Sequence, residues 1–257
     1  MTAAPALHLG VSTKAYFGWH RSLEWLDDIA RVLEEHDAHG VEVFVIPSDP
    51  VLPAAVERLA PLGALIGAQD IAWGEGALTG ETSPRLLAEL GVRMAEIGHA
   101  ERRALFAETD EVVARKAAAA LDAGLQPLLC VGETERVPAA QAVRLVVEQT
   151  LDALRNREAE LSRVALAYEP VWAIGAERPA DPAYVNDVVA GIRVALADEH
   201  GAPAFVIYGG TAGPGLLAEL PDVDGLFLGR RAHDPRAFAE VLDEATASLR
   251  PRTGASR

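Results

Sequence analysis

The sequence predicts an α/β fold in which eight parallel strands close into a TIM-type (β/α)8 barrel, and three observations carry this prediction. Short apolar runs recur along the chain, each followed by a polar or glycine-containing turn and then by a longer stretch with helical periodicity. The chain has 257 residues, half of them hydrophobic, which suits a single barrel domain. No glycine-rich dinucleotide turn follows the first run, which disfavours an open doubly wound sheet.

Eight apolar runs can be placed in order along the chain. They begin near Leu7, Val41, Leu65, Met94, Gln126, Val164, Ala204 and Gly225. Amphipathic stretches between them predict helices, including Ser22 to His36, Arg103 to Ala123 and Gln141 to Glu158. Strands that alternate with helices pair in parallel through right-handed crossovers. We therefore expect one barrel domain over residues 1–249 and a disordered tail over residues 250–257.

Composition excludes several classes of partner. The formal net charge of −15 repels nucleic acid and anionic membranes at long range, and no apolar run is long enough to cross a membrane. Cys130 is the single cysteine, so the chain has neither an internal disulfide nor paired metal-ligand cysteines. We expect a cytoplasmic protein with no metal site that binds neither nucleic acid nor membranes.

Three polar side chains follow apolar runs that lie far apart in the sequence. Lys14 comes after the first run, His99 after the fourth and Glu169 after the sixth. Each alone has a structural explanation, namely a solvated lysine, a hydrogen-bonded turn histidine and an exposed glutamate. In a (β/α)8 barrel, however, the carboxyl ends of all strands meet on one face. Their joint placement therefore favours a functional site there.

Three segments closely resemble signatures of the triosephosphate isomerase family. They are residues 97–103 (Ile-Gly-His-Ala-Glu-Arg-Arg), residues 167–175 (Ala-Tyr-Glu-Pro-Val-Trp-Ala-Ile-Gly) and residues 208–211 (Tyr-Gly-Gly-Thr), and supporting matches cover nearly the whole chain. The resemblance implies a cofactor-independent isomerase that shifts the carbonyl of a small phosphorylated sugar through an enediolate. It also implies a homodimer with the loop around Thr79 at the interface.

The resemblance also assigns roles to the three candidate catalytic residues. Glu169 is the base that removes a proton from carbon, and Lys14 supplies a fixed positive charge beside the enediolate. His99 polarises the carbonyl as a neutral imidazole, whose pKa is lowered in this family by a helix N-terminus. Glu101 and Arg102 resemble paired charges of the family, where a structural ion pair is expected, with Glu101 near enough to influence the site.

The substrate's phosphate is expected to meet backbone N–H groups of the last three loops. By resemblance the substrate-binding and phosphate-binding residues are Ser12, Gly175, Gly209, Gly210, Thr211, Gly229 and Arg230. A lid follows Glu169, with a stiff hinge at Pro170, Val171 and Trp172 and a tip at Ala176, Glu177 and Arg178. Its closure would shield the enediolate phosphate from water.

Several departures from the glycolytic pattern bear on the substrate. Ser12 replaces an asparagine, Arg230 replaces the second of two glycines, and the lid tip is altered. With Trp73 in the third loop, this pattern resembles the tetrulose-phosphate isomerases of erythritol and related tetritol catabolism. Those enzymes convert L-erythrulose 1-phosphate to D-erythrulose 4-phosphate. The tetrulose carries one extra hydroxymethyl group, and the shorter Ser12 side chain is a source of space for it.

Three alternatives stay open at this point. One is the triose reaction, which interconverts dihydroxyacetone phosphate and glyceraldehyde 3-phosphate. Another is a Schiff-base aldolase with Lys14 as the amine nucleophile, which predicts borohydride trapping of substrate. The last is a barrel that binds sugar phosphates without catalysis, which predicts no exchange of substrate hydrogen with solvent.

Overall fold

The computed structural model describes residues 7–249, in which eight strands close into one parallel barrel. The strands are β1 Leu7–Ser12, β2 Val41–Ile46, β3 Leu65–Ala68, β4 Met94–Ile97, β5 Gln126–Val131, β6 Ala165–Tyr168, β7 Phe205–Gly209 and β8 Gly225–Leu228. Each pairs with the next in the chain, and β8 pairs with β1. The predicted barrel is confirmed, with β6 and β7 each starting one residue later than expected. The tail predicted to be disordered, residues 250–257, lies outside the described residues.

Helices surround the barrel. They are α1 Trp19–Glu35, α2 Leu52–Leu59, α3 Pro84–Leu90, α4 Ala100–Phe106, α5 Asp110–Asp122, α6 Ala139–Ala153, α7 Pro182–Ala197 and α8 Pro235–Leu249. Between β7 and β8 the chain forms a short 3-10 helix, Leu217–Glu219. No helix within residues 7–249 combines the length and apolarity that crossing a membrane requires.

The stretch from Arg103 to Ala123, predicted as one amphipathic helix, is two helices. Ala107 adopts a left-handed backbone with φ 54°, which ends α4. The side chain of Thr109 then accepts a hydrogen bond from the Val112 backbone N–H, so a new helix α5 begins. The prediction was wrong because hydrophobic periodicity does not reveal that one residue inside a periodic stretch adopts a left-handed conformation and ends the helix. Similarly, α6 ends at Ala153, short of the predicted Glu158.

The interior of the barrel is filled by apolar side chains, and the polar residues at its carboxyl end pack against them. The buried inward-facing cluster contains Phe44, Ile46, Met94, Leu128, Cys130, Ala165, Ala167, Phe205, Ile207 and Phe227. Gly10 makes room for the Phe44 ring, since a Cβ atom at Gly10 would lie 2.0 Å from Phe44 Cζ. The ring centroids of Phe205 and Phe227 lie 6.4 and 5.7 Å from that of Phe44, which limits any movement of its ring.

We expect the substitution Gly10→Ala to destabilise the barrel by about 2 to 3 kcal/mol, because the added methyl group overpacks the interior against Phe44. The matched control is Gly18→Ala, where a Cβ atom would meet no heavy atom within 4 Å. It should cost about 1 kcal/mol or less, since it only weakens the N-terminal cap of α1. Urea unfolding followed by circular dichroism measures both, and equal free energies of unfolding would contradict the packing argument.

Candidate functional site

The structure brings the three candidate catalytic side chains together at the carboxyl end of the barrel. Lys14 Nζ lies 3.4 Å from His99 Nε2. Glu169 Oε2 lies 3.4 Å from the same nitrogen. Residues from the ends of β1, β4 and β6 therefore converge on one imidazole atom, as the barrel geometry requires.

His99 is held in one tautomer by the start of α4. It is the N-cap residue of this helix, and its Nδ1 accepts a hydrogen bond of 3.0 Å from the Glu101 backbone N–H. An accepting Nδ1 leaves the proton of a neutral ring on Nε2, the atom that faces Lys14 and Glu169. Burial lowers the pKa of His99 to about 4, and the charge of Lys14 acts in the same direction. The site therefore presents a neutral N–H donor near pH 7.

Glu169 is a buried carboxyl group with capacity to accept a proton. A Cβ atom at Gly209 would lie 2.2 Å from Glu169 Oε1, so the glycine is needed for the carboxyl group to sit where it does. Burial raises the pKa of Glu169 to about 7, against the opposing charge of Lys14. Its Oε2 accepts no hydrogen bond from the described residues. A carboxylate of this proton affinity suits general base chemistry near neutral pH.

Hydrogen bonds to its backbone carbonyl and an ion pair of its ammonium group both hold Lys14 in position. Its φ of 45° lies in the left-handed region, and its carbonyl accepts hydrogen bonds from Ser48 Oγ at 2.8 Å and Gln69 Nε2 at 3.0 Å. Burial alone would lower the pKa of Lys14, but the hydrogen bond and charge of Glu101 and the charge of Glu169 outweigh it and raise the pKa. Lys14 is therefore a permanent cation, which argues against an amine nucleophile.

Glu101 lies closer to the chemistry than a structural ion pair would place it. Its Oε1 lies 2.6 Å from Lys14 Nζ. Arg102 instead contacts Asp70 at 2.8 Å and Glu108 at 2.9 Å, on the outer side of the loop. Glu101 and Arg102 thus belong to two different ion pairs, and Glu101 holds the lysine beside His99.

A second buried carboxyl group, Glu96 on β4, adjoins the site and was not predicted. Its Oε1 lies 3.9 Å from His99 Nε2 and 3.9 Å from Cys130 Sγ. Burial, followed by the charge of Glu169, raises the pKa of Glu96 to about 8, while Lys14 and the nearby Ser12 hydroxyl act in the opposite direction. The signal in the sequence was one acidic residue inside an apolar run.

A cavity of about 410 Å³ opens beside these groups. Most of the predicted substrate-binding residues line it, together with part of the lid, as follows: Ser12, Lys14, Gly175, Ala176, Glu177, Gly210, Thr211, Gly229 and Arg230. Tyr16, Arg231 and His233 also line it and were not predicted. Gly209 underlies Glu169, and Arg178 is absent from the residues that line this cavity.

The Arg230 side chain finds its partner on the first loop. Its guanidinium carbon lies 5.9 Å from the centre of the Tyr16 ring, a cation–π contact. Gly229 precedes the 3-10 helix Arg230–His233, so the backbone N–H groups at its start are not used within a helix. The arginine therefore ties the first and eighth loops together at the rim of the cavity.

The lid segment is anchored at both ends. At its hinge the buried Glu133 accepts hydrogen bonds from Trp172 Nε1 at 2.8 Å, Tyr184 Oη at 2.8 Å and Tyr168 Oη at 3.2 Å. At its exit, the Ala180 N–H donates to Tyr208 Oη at 3.2 Å.

Contacts over the lid tip are fewer. Thr211, predicted to bind substrate, donates its hydroxyl to the Ala176 carbonyl at 3.0 Å. The side chains of Ala176, Glu177 and Arg178 are exposed. The hinge begins at Pro170, the residue that directly follows Glu169, so the lid and the carboxyl group belong to one continuous segment.

Within residues 7–249, no group of three or more histidine, cysteine, aspartate or glutamate side chains is arranged to hold a metal ion. A proton acceptor, a neutral N–H donor and a cation surround one point at the edge of a cavity with glycine-rich walls.

Comparison with known proteins places this geometry in a family. The family model described as triosephosphate isomerase matches residues 8–245. A protein of Pectobacterium atrosepticum named L-erythrulose-1-phosphate isomerase is 46% identical over 93% of this chain and 95% of its own length. A protein of Rhizobium etli with the same name is 38% identical over 91% of each chain. A triosephosphate isomerase of Alkalilimnicola ehrlichii is 41% identical over 87% of this chain and 94% of its own length. This chain belongs to the triosephosphate isomerase family.

Proposed function

We propose that the protein is a sugar-phosphate isomerase that converts L-erythrulose 1-phosphate to D-erythrulose 4-phosphate. The observation that carries the reaction type is the meeting of Glu169, a carboxyl group of raised pKa, with the neutral Nε2–H of His99 at 3.4 Å. Proton transfer next to a carbonyl needs this combination of base and neutral electrophile. The similarity to relatives named for the tetrulose phosphate supports the choice of substrate.

The reaction then follows from the arrangement of the side chains. Glu169 removes the proton from C3 while the His99 N–H donates to the carbonyl oxygen at C2, which gives an enediolate. His99 moves a proton between the two oxygens, and Glu169 returns its proton to C2, so the carbonyl moves to C3. Lys14 stabilises the negative charge of the intermediate. Protons balance and no oxidant is needed.

The phosphate group is assigned to the loops that follow β6, β7 and β8. Gly175, Gly210, Gly229 and Arg230 line the cavity and can present backbone N–H groups to an anion. Glycine at three of these positions permits close approach of the backbone. The lid over residues 170–180 would close on the bound phosphate and exclude water from the enediolate.

The triose reaction is the second candidate. It is supported by relatives named triosephosphate isomerase, which share up to 41% identity with this chain among those compared. The small Ser12 side chain at the cavity favours the larger substrate, since it leaves volume next to the reacting carbons. The aldolase alternative is disfavoured by the raised pKa of Lys14.

We further propose that the enzyme acts in the cytoplasm, in catabolism of erythritol or a related tetritol. A single buried cysteine, Cys130, is consistent with a reducing compartment. The pathway assignment depends entirely on the substrate. A preference for the triose phosphate would therefore remove it.

The first prediction concerns substrate choice. With purified enzyme, we expect kcat/KM for L-erythrulose 1-phosphate to exceed that for dihydroxyacetone phosphate by about tenfold or more, the scale of discrimination that one added group can give. Proton NMR in deuterium oxide reports both turnover and the carbon that exchanges, which should be C3 of D-erythrulose 4-phosphate, the carbon that was the carbonyl C2 of the substrate. A strong preference for the triose phosphate would contradict the tetrulose assignment and leave the isomerase mechanism intact.

The second prediction concerns Glu169. Because the carboxylate is the active form, kcat/KM should fall about tenfold for each pH unit below about 7. The substrate phosphate titrates near pH 6, so the profile is fitted with both groups. Glu169→Gln should lower kcat by about 10³-fold and leave only the phosphate limb, while inhibition by inorganic phosphate persists. A variant that retains more than a tenth of wild-type turnover would refute the assignment of the base.

The third prediction concerns a homodimer with the loop around Thr79 at the interface. Large apolar side chains of α3 and α4 are exposed, with Leu86 at 58%, Leu105 at 74% and Phe106 at 67%. We expect sedimentation of a dimer at micromolar concentration, and a shift toward monomer in Leu105→Asp/Phe106→Asp. The matched control is Val194→Asp on α7, which is 65% exposed and should leave the dimer unchanged. A wild-type monomer would overturn the proposal.

A further inference from the structure

Two polar side chains inside the barrel remain outside the mechanism described above. Ser12 ends β1, two residues after Gly10, whose inner face is covered by the Phe44 ring. Glu96 lies on β4, two residues after Met94 of the inward-facing cluster. Because alternate strand residues point to the same side of a sheet, Ser12 and Glu96 both face the barrel interior.

Both side chains hold hydrogen-bonding capacity that the described residues do not use. Ser12 is 3% exposed and Glu96 is 4% exposed. Neither Ser12 Oγ nor Glu96 Oε2 makes a hydrogen bond of good geometry with any of residues 7–249, although the Ser12 hydroxyl lies near enough to donate weakly to Glu96 and so favours its ionised form. A buried polar atom without a partner costs free energy, so such atoms in a native site are candidates for contact with a ligand.

The position of Glu96 indicates which end of a substrate can reach the pair, and Ser12 lies at the cavity wall on β1. The phosphate loops follow β6, β7 and β8, whereas Glu96 contacts His99 after β4 and Cys130 on β5. In the closed order β1 to β8, strands β4 and β5 lie across the barrel from β8. A substrate whose phosphate lies at the eighth loop and whose reacting carbons lie at His99 therefore extends its far end toward Glu96.

The chemistry of the pair suits a neutral hydroxyl group. Among residues 7–249 no cation pairs directly with Glu96, whose Oε1 is 3.9 Å from the neutral His99 and from Cys130, and Lys14 acts on it only through its charge. A carboxyl group in that position is held in its neutral form, in keeping with its pKa of about 8. A neutral carboxyl group and a serine hydroxyl each donate and accept one hydrogen bond. An alcohol, which also donates and accepts, satisfies both, whereas a charged group would be left without a counterion.

We propose that Ser12 and Glu96 form a hydroxymethyl subsite that binds the terminal CH₂OH of the four-carbon sugar phosphate and so selects it over the three-carbon one. This inference rests on the proposed function. It makes Glu96 a specificity-determining residue that touches the substrate at the end opposite the phosphate, on the far side of the carbon from which Glu169 removes the proton.

The test combines a change in the substrate with a change in the protein, in the manner of a double-mutant cycle. The probes are L-erythrulose 1-phosphate and its 4-deoxy analogue, which lacks only the terminal hydroxyl. Wild-type kcat/KM should be about 30-fold lower for the analogue, because the buried pair is left without its partner. In Glu96→Leu, kcat/KM for the parent sugar should fall about 30-fold more than for the analogue, which brings the two substrates within about threefold of one another.

Two further variants separate a binding role from a structural one. Glu96→Gln keeps a neutral donor and acceptor of the same shape, so it should retain the discrimination to within about fivefold. Ser12→Ala removes one hydroxyl and no packing volume of note, and it should reduce the discrimination by about five- to tenfold. If Glu96→Leu fails to fold, the Ser12→Ala and Glu96→Gln results decide the question.

The outcomes are distinguishable from failure of the proposed function. A wild-type enzyme that turns over dihydroxyacetone phosphate and neither tetrulose phosphate overturns both the function and the subsite. Tetrulose turnover with discrimination that Glu96→Leu and Ser12→Ala leave unchanged overturns the subsite alone. An equal loss for parent and analogue in folded Glu96→Leu also overturns it, since the side chain would then act through His99.

Discussion

Lys14 faces three carboxyl groups at the mouth of the barrel and contacts one of them. Its Nζ pairs with Glu101 at 2.6 Å, while Glu169 and Glu96 interact with it only through their charges. Burial raises the pKa of Glu169 to about 7 and that of Glu96 to about 8, against the opposing charge of Lys14. Burial, reinforced by the charge of the same lysine, lowers the pKa of His99 to about 4 and so keeps the ring neutral near pH 7. Burial thus sets the direction of the pKa shift at Glu169, Glu96 and His99, while the charge of Lys14 opposes the shift at the two carboxyl groups and reinforces it at the imidazole.

The candidate catalytic residues lie where strands end. Because apolar runs in the sequence mark the strands, much of the candidate site was predictable. Lys14, His99 and Glu169 follow apolar runs whose starts agree with the observed strands within one residue. A parallel barrel leaves the carboxyl ends of its strands no other arrangement than one shared face. The glycines of the seventh and eighth loops were assigned by resemblance, and the structure places Gly209 against Glu169 and both Gly210 and Gly229 on the cavity wall.

The parts that were not predicted depend on contacts across the barrel. Whether Glu96 faces the interior or the helices is decided by strand register, and a four-residue run does not specify this. Glu101 and Arg102 were expected to form a structural ion pair by resemblance, with Glu101 near enough to influence the site, but the two side chains pair with different partners, Lys14 and Asp70. The break at Ala107 is a third case. It ends α4 at Phe106, so the helix that His99 caps is only seven residues long and α5 begins separately at Asp110.

Arg230 shows how a departure from the family pattern can leave the phosphate site usable. A charged side chain at the eighth loop has to be placed away from the backbone N–H groups that would meet an anion. Its contact with the Tyr16 ring at 5.9 Å does this, because it draws the guanidinium group to the rim. Tyr16 follows Lys14 by two residues, so the contact also restrains the loop that carries the lysine. The extra positive charge then lies at the rim formed by the first and eighth loops, across the barrel from the buried Glu96 on β4, so the two ends of the site differ in polarity.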